Sequence, residues 1–506
     1  MSKPGHSNFE PPSSINYYKL IFIIFLTFGC AQGFPELNPS KETSTAPGGV
    51  WKPRTGEYSE FFPTEELAGV PSELEEYINE LTLSQLVDVA LVNNPTTLQA
   101  WERAKAAAAA WAVARGIYYP QIDGSAEYAY NKGGGEAKGL NRYKEQYGQV
   151  GATLNYLLLD FGGRSAQSEA ARQALFNANW NHNQAIQDVL LNVASAYYKY
   201  IGNKAQTRAD EVSLEEAKIS LEAAELRLEA GVGTLPDVLQ AKATMAQVQF
   251  DLVADRGAVE TSRGQLATAV GWAADTAFDV TDEPSELPLK ALQQNVEDLI
   301  LTAKKNRPEF AAVGAFVRQK KAELREAQSN RFPQLFAVGQ IARWWVRPDG
   351  LSSDYFTNYL VGLQLQIPIF QGFALVNAVR EARANLKAAQ AALLVEEQVV
   401  IQDVWNAYYN FRTAAQQLEA SEVLVASAKE SYDASLARFR SGVGDIVELL
   451  NAQTLLAEAR AEKVQSRTSL FTFYAELIHA IGAETPSINN GITNADPKSG
   501  PGIENE

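Results

Sequence analysis

Cysteine and histidine, on which most metal and redox chemistry depends, are scarce in this chain. Its 506 residues include one cysteine, Cys30, and three scattered histidines, His6, His182 and His479. A cysteine zinc site, an iron–sulfur cluster and an intrachain disulfide each need more cysteines than one. We therefore expect no metal site and no cofactor.

Basic residues are also fewer than acidic residues in this chain. The chain has 44 Lys and Arg against 60 Asp and Glu, a net charge of −16, and the resulting field repels phosphate backbones. No nucleic-acid partner is expected. Asp160-Phe161-Gly162 lacks the other loops of a kinase, and Gly231-Val232-Gly233 lacks the strand and third glycine of a dinucleotide site. We expect that the protein is not an enzyme.

The apolar run near the N-terminus is too short for a transmembrane helix. Leu20 to Phe28 contains about nine residues, against about 20 for a span, and it follows Lys3 and Lys19 as the core of a secretory signal does. Thr27-Phe28-Gly29-Cys30 resembles a bacterial lipobox, which implies lipid attachment, palmitate included, at Cys30. An ordinary signal peptide cleaved nearby and a buried apolar segment with an inert thiol are the alternatives.

The chain also contains an internal duplication. Five motifs recur in the same order at an offset of about 210 residues, far longer than a solenoid repeat of about 20–50 residues. The pairs are Asn94-Pro95 with Arg307-Pro308, Tyr119-Pro120-Gln121-Ile122 with Phe332-Pro333-Gln334-Leu335, Ala196-Tyr197-Tyr198 with Ala407-Tyr408-Tyr409, Gly231-Val232-Gly233 with Gly442-Val443-Gly444, and Ala269-Val270-Gly271 with Ala480-Ile481-Gly482. The sequence therefore predicts two copies of one domain-sized unit.

The duplication and its flanks divide the chain into six predicted segments. These are a signal peptide at 1–29, a lipid-anchored leader at 30–80, a first repeat at 81–283, a linker at 284–293, a second repeat at 294–484 and a tail at 485–506. The tail is rich in Asn, Gly and Pro, a composition typical of disorder.

Each repeat is predicted to begin with a helix and two strands. A helix capped by Thr82 is expected to run through an alanine-rich region to Ala114. Apolar and polar residues alternate over 150–156 and 361–367, which predicts strands with one apolar and one polar face. Glycine-rich and polar loops are expected at 131–145 and 347–358, between the paired strands.

A long helical hairpin completes each repeat. Proline is absent from 121–234 and 369–484. Apolar residues in these ranges recur at alternating spacings of three and four residues, and this spacing predicts a coiled coil. The seam positions are Leu214, Ala217, Leu221, Ala224 and Leu228, and then Val425, Ala428, Tyr432, Ser435 and Phe439. A helix from Arg164 to Arg227 would be nearly 100 Å long at about 1.5 Å per residue. Glycine pairs then reverse the chain into a return helix.

The strands are expected to pair with copies of themselves. Four strands cannot close a membrane barrel, whose smallest members have about eight, and an open edge in lipid leaves backbone groups unpaired. Two, three or four chains would meet this requirement. Aromatic residues cluster in this region, as an interfacial girdle requires: Tyr118, Tyr119, Tyr128, Tyr130, Tyr156, Trp344, Trp345, Tyr355, Phe356 and Tyr359. Aromatic packing in a soluble sheet is the alternative.

The duplication, the strand-to-helix junctions and the turns together resemble the TolC-like outer-membrane efflux proteins over about residues 81–484. The junctions are 159–163 and 367–372, and the turns are 232–239 and 443–450. The resemblance implies an α+β membrane protein of the outer membrane. It would be a homotrimer, with a 12-stranded β-barrel in the lipid, four strands from each chain, continuous with a long α-helical coiled-coil barrel in the periplasm.

The function that the resemblance implies is an exit duct of a tripartite efflux or type I secretion system. Its partners would be a periplasmic membrane-fusion adaptor and an inner-membrane pump, driven by protons or ATP. A soluble periplasmic coiled-coil tether or adaptor is the alternative, but it would not need duplicated amphipathic strands. The sequence does not indicate the substrate.

The resemblance places the functional residues at the turns, which would be the periplasmic tips. Tip and adaptor-docking residues would be Arg227, Gly231, Val232, Gly233, Thr234, Arg438, Gly442, Val443 and Gly444. Asp237, Asp445 and Glu448 would form an acidic entrance gate, although Asn451 stands where the family often has Asp. Helix capping is the alternative for these carboxylates, and stabilisation of helix C-termini is the alternative for the arginines.

Overall fold

The computed structural model describes residues 70–71, 74, 78–133, 143–281, 295–348 and 354–483. The predicted signal peptide, Cys30, most of the leader, the linker and the tail lie outside the described residues. The described residues form eight α-helices and four strands. In chain order they are α1 (Leu83–Asn93), α2 (Pro95–Arg115), β1 (Gln121–Gly133), β2 (Tyr143–Leu159), α3 (Gly163–Glu229), α4 (Leu235–Val270), α5 (Val296–Asn306), α6 (Pro308–Ser329), β3 (Gln334–Pro348), β4 (Asp354–Gln366), α7 (Ala374–Arg440) and α8 (Ile446–Ala480).

The order of elements occurs twice, as the sequence predicts, but the first helix of each repeat is broken. Asn94 separates α1 from α2, where the sequence predicted one helix. Pro95 disfavours the helical conformation at the residue before it. Asn94 instead caps α2, and its side chain accepts a hydrogen bond from the Thr96 N–H at 2.8 Å. Arg307 and Pro308 break the helix of the second repeat at the equivalent position, where Arg307 makes no side-chain cap bond.

The strands form one antiparallel sheet in the order β1-β2-β3-β4. Residues directly opposite each other point to the same face, and the register places Leu154 opposite both Ile122 and Gly339, with Val361 opposite Gly339. One face therefore collects apolar side chains from all four strands: Ile122, Tyr128, Val150, Leu154, Ile341, Tyr359, Val361, Leu363 and Leu365. The other face holds most of the polar ones: Asp123, Glu127, Gln149, Thr153, Asn155, Gln340 and Gln364.

The strands are longer than the sequence indicated. β1 continues to Gly133, β2 begins at Tyr143, β3 ends at Pro348 and β4 begins at Asp354. The outer parts of both predicted loops are therefore strand, because backbone pairing across the ladder overrides a polar, glycine-rich composition. Within the described residues, neither the outer edge of β1 nor that of β4 pairs with another strand.

Two helical hairpins of nearly equal length follow the strand pairs. α3 and α7 contain 67 residues each, and the return helices α4 and α8 contain 36 and 35. At about 1.5 Å per residue, α3 and α7 are about 100 Å long. Ala217, Ala224, Ala428 and Phe439 of the predicted seam are buried, whereas Leu228 at its end is exposed. None of the helices in the described ranges has the length and apolar character needed to cross a membrane.

The two hairpins meet along α3 and α8. Arg460 of α8 donates two hydrogen bonds, of 2.6 and 2.7 Å, to the carboxylate of Glu216 on α3. Both side chains are largely buried, and a bidentate pair of this kind fixes geometry as well as charge. Nearer the turns, alanines of the first hairpin share an apolar cluster with Phe439, Ile446 and Leu449 of the second. The two turns consequently lie side by side.

Asp210 lies in the shaft of the first hairpin, on the face of α3 that meets α4. Burial raises the pKa of Asp210 to about 7, and the hydrogen bond and negative charge of Asp255 act in the same direction. Gln206 opposes the shift, because its amide donates to the Asp210 carboxylate at 2.9 Å. An unfolded Asp has a pKa of about 3.9. Between about pH 4 and 7, the folded chain therefore holds a proton that the unfolded chain has lost, and folding stability falls as the pH rises.

We predict that Asp210→Asn raises the midpoint of thermal unfolding at pH 8 and changes it little at pH 5. The amide removes the repulsion with Asp255 that appears once Asp210 ionises. Thermal melts across this range, followed by circular dichroism, measure the effect. Asp433→Asn replaces an exposed carboxylate on α7 and is the matched control. If Asp210→Asn shifted the unfolding midpoint equally at pH 5 and pH 8, the assignment of the proton to Asp210 would be contradicted.

Candidate functional site at the hairpin tips

The first tip is a glycine turn between α3 and α4. The N–H groups of Val232 and Gly233 both donate to the carbonyl of Arg227, at 3.0 and 2.9 Å. These bonds satisfy a carbonyl that the end of the helix leaves without a helical partner. Thr234 is the N-cap of α4, and its N–H donates to the Asp237 carboxylate at 3.0 Å. The turn and the helix ends that flank it therefore hold all six predicted tip and gate residues of the first repeat.

The second tip repeats this geometry between α7 and α8. The N–H groups of Val443 and Gly444 both donate to the carbonyl of Arg438 at 3.0 Å. Asp445 caps α8 by accepting a hydrogen bond from the Glu448 N–H at 2.7 Å. The duplication inferred from the sequence thus extends to individual hydrogen bonds.

Glycine is required at both tips for two reasons. Gly231 and Gly442 have φ angles of 75° and 83°, which side chains with a Cβ rarely adopt. Gly233 and Gly444 allow close approach instead. A Cβ on Gly233 would lie 2.9 Å from the backbone nitrogen of Leu228, and one on Gly444 would lie 3.2 Å from that of Phe439.

The three predicted gate carboxylates all have local partners. Asp237 and Asp445 stabilise the first turns of α4 and α8, where the helix dipole favours negative charge. The Oε1 of Glu448 lies 3.3 Å from the Nε of Arg438, and about half of each side chain is exposed. An exposed pair of this kind is screened by water and contributes little to stability. The hydrogen bonds bear out the capping alternative for Asp237 and Asp445.

Arg227 joins the two tips. Its Nη1 donates to the carbonyl of Phe439 at 2.6 Å and to that of Gly444 at 3.3 Å, and its Nη2 donates to the carbonyl of Val232 at 3.4 Å. The guanidinium also lies 4.4 Å from the centre of the Phe439 ring, a cation–π contact. Arg438 occupies the equivalent position in the second repeat but bonds within its own tip. The two arginines therefore have different roles despite the duplication.

Apolar side chains are exposed around both turns. Val232 and Val443 are 65% and 72% exposed, and Leu235, Leu239 and Val447 are also exposed. The chain carries a net charge of −16. A cluster of exposed apolar residues on such a charged protein indicates a contact surface. Sequence reasoning placed the two valines here but missed the partners of Arg227, because Phe439 and Gly444 lie more than 200 residues away along the chain. Only the seam position of Phe439 signalled that its ring would be buried at the tip.

Comparison with known proteins gives one consistent result. The family model described as outer membrane efflux protein matches residues 86–272 and 299–483, once within each predicted repeat. Protein CyaE of Bordetella pertussis is 27% identical over 410 residues, which is 80% of this chain and 85% of CyaE. Outer membrane protein TolC of Escherichia coli is 22% identical over 427 residues, 81% of this chain and 85% of TolC. Among solved structures, the outer-membrane channel OprN has a TM-score of 0.72 at 21% identity, covering 79% of this chain and 90% of OprN.

We predict that Arg227→Met loosens the junction between the tips. Methionine keeps an apolar stem over Phe439 but removes the hydrogen bonds to the carbonyls of both tips. Hydrogen bonds to a charged group contribute about 1.5–3 kcal/mol, so exchange of the Val443 and Gly444 amides should accelerate about 10- to 100-fold. Hydrogen–deuterium exchange of the purified protein measures this.

Arg438→Met is the matched control for Arg227→Met. It removes a cation from the same position of the second repeat without breaking a contact between the tips. Equal acceleration in both variants, or none in Arg227→Met, would show that Arg227 does not join the tips.

Proposed function

The chain belongs to the outer membrane efflux protein family and is a channel protein of the outer membrane, and we propose that three copies form an exit duct for efflux or secretion. Family membership confirms the resemblance to TolC-like proteins. The observation that carries the proposal is the open four-stranded sheet with one apolar face, joined to helices of 67 residues. A soluble coiled-coil tether, the sequence-based alternative, does not fit this arrangement.

Closure of the sheet supports three copies. The outer edges of β1 and β4 need partners in lipid, so β4 of one chain would pair with β1 of the next. Two copies would give a barrel of about eight strands, and side chains fill the interior of a barrel of that size. Three copies would give about 12 strands and an open lumen lined by the polar face of the sheet. The apolar face would then lie against lipid.

The length of the hairpins supports a duct that extends well beyond the bilayer. The hydrocarbon core of a membrane is about 30 Å thick, whereas α3 and α7 are each about 100 Å long. Three copies would contribute six hairpins to a helical tube in the periplasm. Its far end would be formed by the tips.

The tips are the proposed docking surface for a periplasmic adaptor, through which an inner-membrane pump would supply the energy. The exposed side chains of Val232, Val443 and Leu235 provide apolar contact area. Arg438 is exposed and available to a partner. Arg227 is already bonded within the chain, so its predicted docking role would be indirect, through the shape of the paired tips. The relatives' names identify no substrate for this chain.

The acidic residues at the tips are the proposed entrance gate. In a trimer, Asp237, Asp445 and Glu448 would each become a ring of three carboxylates around the axis. Such rings attract cations and repel anions. Capping is compatible with this role, because helix N-termini favour negatively charged side chains.

Cys30 is the proposed lipid attachment site. The apolar run and the lipobox-like Thr27-Phe28-Gly29-Cys30 support it, as does the lack of any second cysteine to form a disulfide. A single acyl chain gives only marginal membrane binding, so the lipid would supplement the barrel strands. The barrel strands would provide most of the attachment to the outer membrane.

We predict that the purified protein conducts ions in a planar bilayer, with small cation-selective openings. Asp445→Asn combined with Glu448→Gln should enlarge the openings or reduce their selectivity, because it removes two rings of charge. Asparagine still caps a helix, so the tip should keep its shape. Glu458→Gln, on the exposed surface of α8, is the control. Failure to insert or conduct would count against the duct, and unchanged selectivity would count against the gate alone.

We predict that mass spectrometry of the mature N-terminus finds a lipidated Cys30, and that Cys30→Ser abolishes the modification. The serine variant should still fractionate with the outer membrane and resist carbonate extraction, because the barrel would hold it there. An unmodified N-terminus in the wild type would contradict the lipid assignment. Release of the serine variant by carbonate would contradict the barrel instead.

A further inference from the structure

A cluster of three ligand-type side chains lies far from the tips, where the two repeats meet. Asp188 belongs to α3 of the first repeat, Glu309 to the first turn of α6, and His479 to the last turn of α8. One side-chain ligand atom from each residue lies within 4.8 Å of those from the other two. Three helices, widely separated in the sequence, thus present a nitrogen and two carboxylate oxygens to one point.

Two of these residues already share a contact that a metal ion could replace. The Nε2 of His479 lies 2.9 Å from Asp188 Oδ1. A single proton between a ring nitrogen and a carboxylate occupies the position that a cation would take. The His479 side chain is 17% exposed, whereas that of Asp188 is 44% exposed. Asp188 therefore gives solvent access to the cluster and has room to adjust.

Glu309 brings a largely buried carboxylate to the cluster, with a side chain that is 12% exposed. Its Oε1 accepts a hydrogen bond from Arg307 Nη2 at 3.2 Å. Its Oε2 is buried and has no hydrogen-bond partner within the described residues. Leaving a buried charged acceptor unsatisfied is costly, so Oε2 favours a further partner, which none of the described residues supplies.

The surrounding charge is acidic enough to accept a cation. Arg307 is a fixed positive charge beside Glu309, but its Nη1 also bonds Asp403 at 2.9 Å. Glu396 interacts electrostatically with Arg307, Glu309 and Asp403, and Glu476 interacts with His479. The carboxylates of this region therefore outnumber its cations. Arg307 holds Oε1 of Glu309 and leaves Oε2 for another ligand.

We propose that Asp188, Glu309 and His479 bind a divalent transition-metal ion of the Zn²⁺ class and thereby join the two repeats. One imidazole with two carboxylates suits such an ion better than Ca²⁺ or Mg²⁺, which take oxygen ligands. Bonds of about 2.0–2.2 Å would place the ligand atoms about 3–3.6 Å apart, so the side chains need to close by about 1 Å. Water would complete the coordination. The proposal opposes the expectation from the sequence that the chain has no metal site, and it does not depend on channel activity.

Zn²⁺ titration of the mature protein tests the site. The protein is purified in detergent, stripped with a chelator and titrated by isothermal calorimetry. We expect one saturable Zn²⁺ per chain, with affinity at least about 100-fold weaker in His479→Gln and in Glu309→Gln. Added Zn²⁺ should also raise the unfolding temperature of the wild type but not of these variants.

Two controls separate this site from other cation binding. His182→Gln removes the other histidine in the described part of the chain and should bind Zn²⁺ as the wild type does. Asp445→Asn with Glu448→Gln removes charge at the tips and should also leave the affinity unchanged. Asp188→Asn alters the most exposed ligand and should weaken binding even if a buried variant fails to fold. Absence of saturable binding in the wild type, or wild-type affinity in Asp188→Asn, would overturn the proposal.

Discussion

The requirement that every backbone hydrogen-bonding group in lipid be paired is the constraint on which this structure depends. Each chain supplies one four-stranded antiparallel sheet, and the ladders within it pair β1 to β4 in sequence order. The outer edges of β1 and β4 have no partner within the described part of the chain, and lipid offers none. Closure with other copies is therefore the condition for membrane insertion. The register serves the same condition, because it gathers apolar residues of all four strands on one face.

The sequence was sufficient to predict features that depend on local pattern. The duplication, the long helices, most of the buried seam and the glycine turns follow from spacing and composition, and the structure confirms them, with Leu228 at the end of the seam exposed. The break at Asn94 was also predictable in principle, since Pro95 follows it. The strand ends were not, because pairing with a neighbouring strand extended them into segments of loop-like composition.

Contacts between distant segments were beyond sequence reasoning. Arg227 was recognised as a cation at a helix end, but its acceptors are carbonyl groups of the other hairpin, which have no side-chain signature. His479 was only one of three scattered histidines in the sequence. Asp188 and Glu309 reach it only because α3, α6 and α8 pack together, and none of the three lies in a recognisable motif.

The two junctions between the hairpins differ in what it costs to separate them. In the shaft, Glu216 and Arg460 are a largely buried bidentate pair, and pulling them apart would leave buried charges without partners. At the tips, Arg227 donates to the carbonyls of Phe439 and Gly444, which are uncharged, so separation there leaves one charge without its partners rather than two opposite charges. A force applied at the tips would therefore separate the hairpins there first while the shaft stayed closed. In the duct that we propose, this difference would confine opening to the periplasmic end and leave the barrel undisturbed.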